Sequence, residues 1–72
     1  MSPTPHQVGR RLKALRMAAG LSQVELARKA GISREYLNRL EGGRHDPTLG
    51  TLTRLAKQLG VKLTAFLDAE GG

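Results

Sequence analysis

The chain contains no cysteine and no tryptophan, and it has only one tyrosine and one phenylalanine among its 72 residues. Without cysteine there is neither a disulfide framework nor a thiolate metal site. His6 and His45, the only histidines, lie far apart and lack the spacing of a metal-ligand pair. Neither a metal nor a cofactor is expected. The scarcity of aromatic rings argues against binding of single-stranded nucleic acid, which stacks bases on aromatic platforms. No apolar run approaches the roughly 18 residues of a membrane span. The first residues, MSPTPHQVGRR, lack the apolar segment of a signal peptide. A cytoplasmic protein with no membrane partner is the expectation. Acidic residues are also few: six Asp and Glu stand against twelve Lys and Arg, a formal charge of +6. Such an excess on so small a body aids solubility and suggests a polyanionic partner. Ser22, Ser33, His45 and Asp46 supply hydrolase-like residue types, but nothing fixes a base beside a nucleophile. No catalytic residue is assigned, and no enzyme is expected.

A chain of this length makes one domain, residues 1–72 with an ordered core of about 5–68. It buries only about 60% of its unfolded surface, which leaves no room for a small-molecule effector pocket. Within it, helix signals are dense. Thr4, Pro5 and Gln7 form a capping box with proline at the favoured first position. They predict a helix over 5–19 with a buried stripe of Val8, Leu12, Leu15 and Ala19, ended by Gly20. Gly9 inside it weakens the helix by up to about 1 kcal/mol relative to Ala. Ser22 and Glu25 form a second capping box, with Leu21 and Leu26 placed for a hydrophobic staple. Gly31 stops that helix with φ > 0, and Ile32 and Ser33 repeat the entry pattern. Helices over 23–30 and 34–41 follow, then a loop at 42–47. Thr48 caps a helix over 49–59 whose predicted stripe is Leu49, Leu52, Leu55, Ala56 and Leu59, stopped by Gly60. Residues 61–68 hold a short last helix anchored by Leu63, Phe66 and Leu67. The ends, 1–3 and 69–72, are expected to be loose.

Gln23, Leu26, Ala27, Gly31, Ile32, Leu37, Leu40 and Glu41 together resemble the helix-turn-helix of the phage repressor/Cro class, the xenobiotic response element (XRE) family. The resemblance continues through Pro47, Thr48, Leu49, Leu52, Leu55, Ala56 and Leu59 to Gly60 and Val61, and spans roughly residues 8–67. It implies an all-α, compact five-helix bundle of the repressor/Cro type, in which the second and third helices form the helix-turn-helix. The family places a Ser or Thr cap at the position held here by Lys62, so the last helix is expected to start poorly capped.

The resemblance also implies roles for residues. The N-terminal part of the third helix enters the major groove, and the positions matching the family's base readers are Arg34, Glu35 and Arg39, with Ser33 close by. Arg can donate two hydrogen bonds to guanine O6 and N7, and Glu can accept from cytosine N4. Gln23 matches a phosphate-gripping position at a helix start. Ser22, Tyr36, Arg44 and His45 are further phosphate candidates. Arg16 and Glu41 match a structural ion pair. The family usually binds as a two-fold dimer to a palindromic operator, with Val61, Leu63 and Phe66 as interface candidates. These expectations describe a transcriptional regulator, a repressor or autoregulator associated with the bacterial or phage nucleoid and bound to double-stranded DNA. The alternative is a protein-interaction module of the same fold, an antitoxin or adaptor with incidental DNA binding.

Overall fold

A computed structural model describes residues 3–67. Asp68 of the expected last helix, the expected loose end 69–72, and Met1 and Ser2 lie outside the described residues. The elements run α1 Pro5–Ala18, α2 Gln23–Ala30, α3 Arg34–Glu41, α4 Leu49–Leu59 and α5 Thr64–Leu67. Packing joins α1 to α3, α2 to α3, α2 to α4 and α1 to α5. The third helix is therefore held from two sides.

Local chemistry explains where the helices begin. Thr4 Oγ1 accepts from the Gln7 backbone N–H at 3.2 Å, and Gln7 Oε1 accepts from the Thr4 N–H at 2.8 Å. Ser22 and Glu25 make the same reciprocal pair at 3.0 Å each way. Ser33 accepts from Tyr36 and Thr48 from Thr51, so α3 and α4 also start on a side-chain oxygen. These bonds satisfy donors that have no partner inside the helix. At the far end of α2, Gly31 turns left-handed (φ 72°), which lets the Ile32 N–H reach back to the Ala27 carbonyl at 3.0 Å. This closure sets the angle at which α3 leaves the turn. The first turn of α5 is closed instead by short-range bonds, Ala65 N–H to Lys62 O and Phe66 N–H to Leu63 O.

One core fills the bundle. Leu12, Leu26, Leu37, Leu55 and Phe66 are fully enclosed, with Val8, Ala27, Ala30, Leu40, Leu52 and Ala56 around them. Gly9 lies where α1 meets the end of α3. A methyl group there would come within 2.8 Å of the Glu41 carbonyl oxygen and closer still to that of Leu40. The glycine that costs α1 some intrinsic helicity is the one that lets the two backbones touch.

Several expectations need correction. Leu49 is 63% exposed, and Thr51 is buried instead. Side chains in a helix lean toward its N-terminus, so a first-turn leucine points back past the helix start and away from the core. Thr51 tolerates burial because its hydroxyl accepts from Thr48 Oγ1 at 3.0 Å. Ala19 is an exposed cap residue rather than part of the α1 stripe, because α1 ends at Ala18. The last buried place on α1 belongs to Arg16. Phe66 cannot serve an intermolecular interface: its exposure is 0%. A chain with so few large side chains uses its one phenylalanine to close the bundle between α1 and α5. Val61, Leu63 and Leu67 pack on the core but stay partly exposed.

Candidate nucleic-acid interface

Helix α3 has two unlike faces. Leu37, Leu40 and Glu41 are buried, whereas Ser33, Arg34, Glu35, Asn38 and Arg39 are exposed. The apolar residues fix the rotation of the helix, and that rotation turns its guanidinium groups outward. Arg34 Nη2 lies 3.7 Å from Glu35 Oε2, with both side chains more than half exposed. A contact this wet contributes little stability and leaves both groups available to another partner. The Ser33 hydroxyl caps α3 as an acceptor, and the same is true of Ser22 on α2. A hydroxyl used as an acceptor still has its own proton to donate, so each exposed cap can also meet a phosphate or a base edge.

Beneath this face lies the Arg16–Glu41 pair. Arg16 Nε donates to Glu41 Oε2 at 2.6 Å and Nη2 to Oε1 at 3.0 Å, a two-pronged fit. Arg16 Nη1 also donates to the Leu21 carbonyl at 2.8 Å. The side chains are 11% and 3% exposed. The pair ties α1, the α1–α2 turn and the end of α3 together.

Gln23 does not stand free at the start of α2. Its Nε2 donates to Glu41 Oε1 at 3.0 Å. Tyr36 is half-buried, and its ring meets that of His45 edge-on at 5.0 Å. Arg44, in the loop after α3, donates from Nη2 to Asn38 Oδ1 at 2.7 Å. Gln23, Ser33, Arg34, Glu35, Tyr36, Arg39, Arg44 and His45 are thus carried on α3 or on the segments joined to it by packing or hydrogen bonds. Val61 and Leu63 lie in the segment between α4 and α5 and take no part in this face. Asn38 was not assigned a role from the sequence. Its place between Arg44 and Gln23 depends on how α2 crosses α3, which spacing along one helix does not reveal.

Among the described residues, Glu25 stands out for its titration. Its carboxyl is held below the ordinary range, first by the Ser22 backbone N–H, then by the Ser22 side chain, with Arg28 and Lys29 adding to the effect. This is the electrostatic side of the capping box, not a catalytic perturbation. Among the described residues, no group of three or more His, Cys, Asp or Glu could hold a metal ion. No helix there is long and apolar enough to cross a membrane.

Comparison with known proteins agrees with this geometry. A family model described as helix-turn-helix matches residues 12–66. The chain belongs to the helix-turn-helix family. This helix-turn-helix chain is 44% identical over 63 residues to the immunity repressor protein of Bacillus phage phi105, covering 88% of the chain and 44% of the repressor. It therefore spans less than half of that relative's length. Among solved structures, the restriction-modification controller protein C.AhdI from Aeromonas hydrophila superimposes with a TM-score of 0.84 at 34% identity, covering 86% of this chain and 94% of that one. The biofilm master regulator SinR, solved in complex with DNA, gives a TM-score of 0.82 at 34% identity over 85% of this chain and 98% of the SinR chain in that complex.

Proposed function

We propose that this helix-turn-helix chain is a sequence-specific, double-stranded DNA-binding transcriptional regulator, a repressor or autoregulator whose α3 lies in the major groove. The observation that carries the reading is the exposure of Ser33, Arg34, Glu35 and Arg39 on a helix whose opposite face is locked by Leu37, Leu40 and Glu41. Arg34 and Arg39 would each address a guanine, and Glu35 a cytosine, so the preferred site contains G·C pairs. Gln23, Ser22, Tyr36, Arg44 and His45 would flank these readers with phosphate contacts. The formal charge of +6 supports attraction to the duplex. The similarity to a phage immunity repressor and to a regulator solved on DNA supports the same reading.

The working form is a homodimer on a palindromic operator, with half-site centres about 34 Å apart. Val61 and Leu63 keep partly exposed apolar surface that a second copy could cover. The protein would act in the cytoplasm, at the nucleoid. Duplexes selected from a random pool, followed by fluorescence anisotropy across a salt series, test the proposal. Arg34→Ala should cost about 1–3 kcal/mol on the selected duplex and less on random DNA. Equal losses on both would reduce Arg34 to a charge contact, and absence of salt-dependent binding would reject the function.

A further inference from the structure

The polar contacts across α2, α3 and the following loop form a single directed chain. Arg44 Nη2 donates to Asn38 Oδ1 at 2.7 Å, and Asn38 Nδ2 reaches Gln23 Oε1 at 3.5 Å. Gln23 Nε2 donates to Glu41 Oε1 at 3.0 Å, and that carboxylate is held from the other side by Arg16. Every hydrogen bond runs toward Glu41. One end is a guanidinium, which can only donate, and the other is a carboxylate, which can only accept. These partners favour one orientation of each of the two amides between them. Turning Gln23 over would set its carbonyl against the carboxylate. Turning Asn38 over would set its NH₂ against Arg44. Bonds aligned in this way also polarise one another.

From this polarity we infer that Asn38 is a positioning residue that orients Gln23 and Arg44 as one phosphate-contacting unit. The inference rests on the DNA-binding reading above. With one Nε2 hydrogen held by Glu41, the second hydrogen of Gln23 is left for a phosphate oxygen, in a fixed direction. Arg44 is steadied through one nitrogen and keeps its other N–H donors. Asn38 itself need not touch a base. Its work is to make the start of α2 and the loop after α3 arrive at the backbone together.

Duplex binding by the wild type, Asn38→Ala, Arg44→Ala and the double variant, across a salt series, tests this. Asn38 is exposed, so Asn38→Ala should keep the thermal midpoint. It should weaken binding about tenfold and lower the salt slope by about 0.9, equally on selected and random duplexes. The double variant should bind no worse than the weaker single one. Wild-type binding by Asn38→Ala, or losses that multiply in the double variant, would overturn the inference. A loss confined to the selected duplex would also overturn it, because Asn38 would then be reading a base. A second measurement needs no DNA: the side-chain NH₂ resonances of Gln23 in ¹⁵N-labelled free protein should shift in Asn38→Ala, and unchanged resonances would refute the relay. If the wild type binds no duplex, the presentation to phosphates falls with the functional reading, and the amide spectrum alone decides whether the relay exists.

Discussion

Replacing Glu41 by Gln keeps the shape of the side chain and removes its charge. In the folded protein the Glu41 carboxylate receives two bonds from Arg16 and one from Gln23. The variant's amide oxygen can still accept, but its NH₂ must then face either Arg16 Nε or Arg16 Nη2 together with the Gln23 amide, donor against donor. With 3% of the Glu41 side chain and 11% of the Arg16 side chain exposed, water cannot solvate the stranded cation. Breaking a buried pair from one side costs roughly 3–5 kcal/mol. A domain of this length has a total stability of roughly 4–11 kcal/mol. The loss should lower the thermal midpoint by about 12–40 °C, enough to bring it near room temperature. Urea unfolding followed by far-ultraviolet circular dichroism measures the change directly. Arg16→Met combined with Glu41→Leu should recover most of the loss, since an apolar pair leaves no charge unsolvated. A Glu41→Gln midpoint within about 0.5 kcal/mol of the parent would show that the pair behaves as a surface contact, and the burial argument would fail.

Other perturbations separate local from tertiary effects. Gly9→Ala should destabilise by about 1–3 kcal/mol despite its better helix propensity, as a thermal melt would show; a more stable variant would mean that α1 and α3 are farther apart. Leu55→Ala should cost about 2–5 kcal/mol, whereas Leu49→Ser should change stability by less than about 0.5 kcal/mol, and equal effects in denaturant titrations would contradict the assigned burial. Because the folded-state value of Glu25 is depressed, its stabilising contribution is complete above the unfolded glutamate pKa and is lost as pH falls through the lower folded value. Glu25→Gln should therefore flatten that acidic part of the stability profile, measured by urea midpoints between pH 5 and pH 2, roughly the range over which a depressed carboxylate titrates.

Helix beginnings were readable in the sequence because a cap acts over three residues: Thr4 with Gln7 and Ser22 with Glu25 need no tertiary information. The outward set on α3 was readable for a similar reason. Once Leu37 and Leu40 turn inward, helical geometry puts Arg34, Glu35 and Arg39 outside. Side-chain direction at helix ends is invisible to periodicity, which is why Leu49 and Ala19 were placed wrongly. Phe66 was legible as an apolar anchor, but the choice between closing the core and meeting a second copy depended on where α5 lands against α1, which no spacing within residues 61–68 records. Arg16 and Glu41 stand 25 positions apart, and only the family resemblance joined them. The relay through Asn38 required the crossing of α2 and α3, which the sequence pattern leaves open.

The absent side chain at Gly9 has a mechanical meaning. The contact lies at the C-terminal end of α3, while the groups proposed to meet DNA begin at the N-terminal end. An eight-residue helix is about 12 Å long, so with Leu37 seated in the core near its middle it works as a lever pushed at its α1 end. Pushing that end outward by about 1 Å tilts the lever by about 10° and swings the opposite tip at Arg34 by a comparable distance, a displacement on the scale at which a placed group loses its function. Discrimination between sequences should therefore degrade before the domain itself melts.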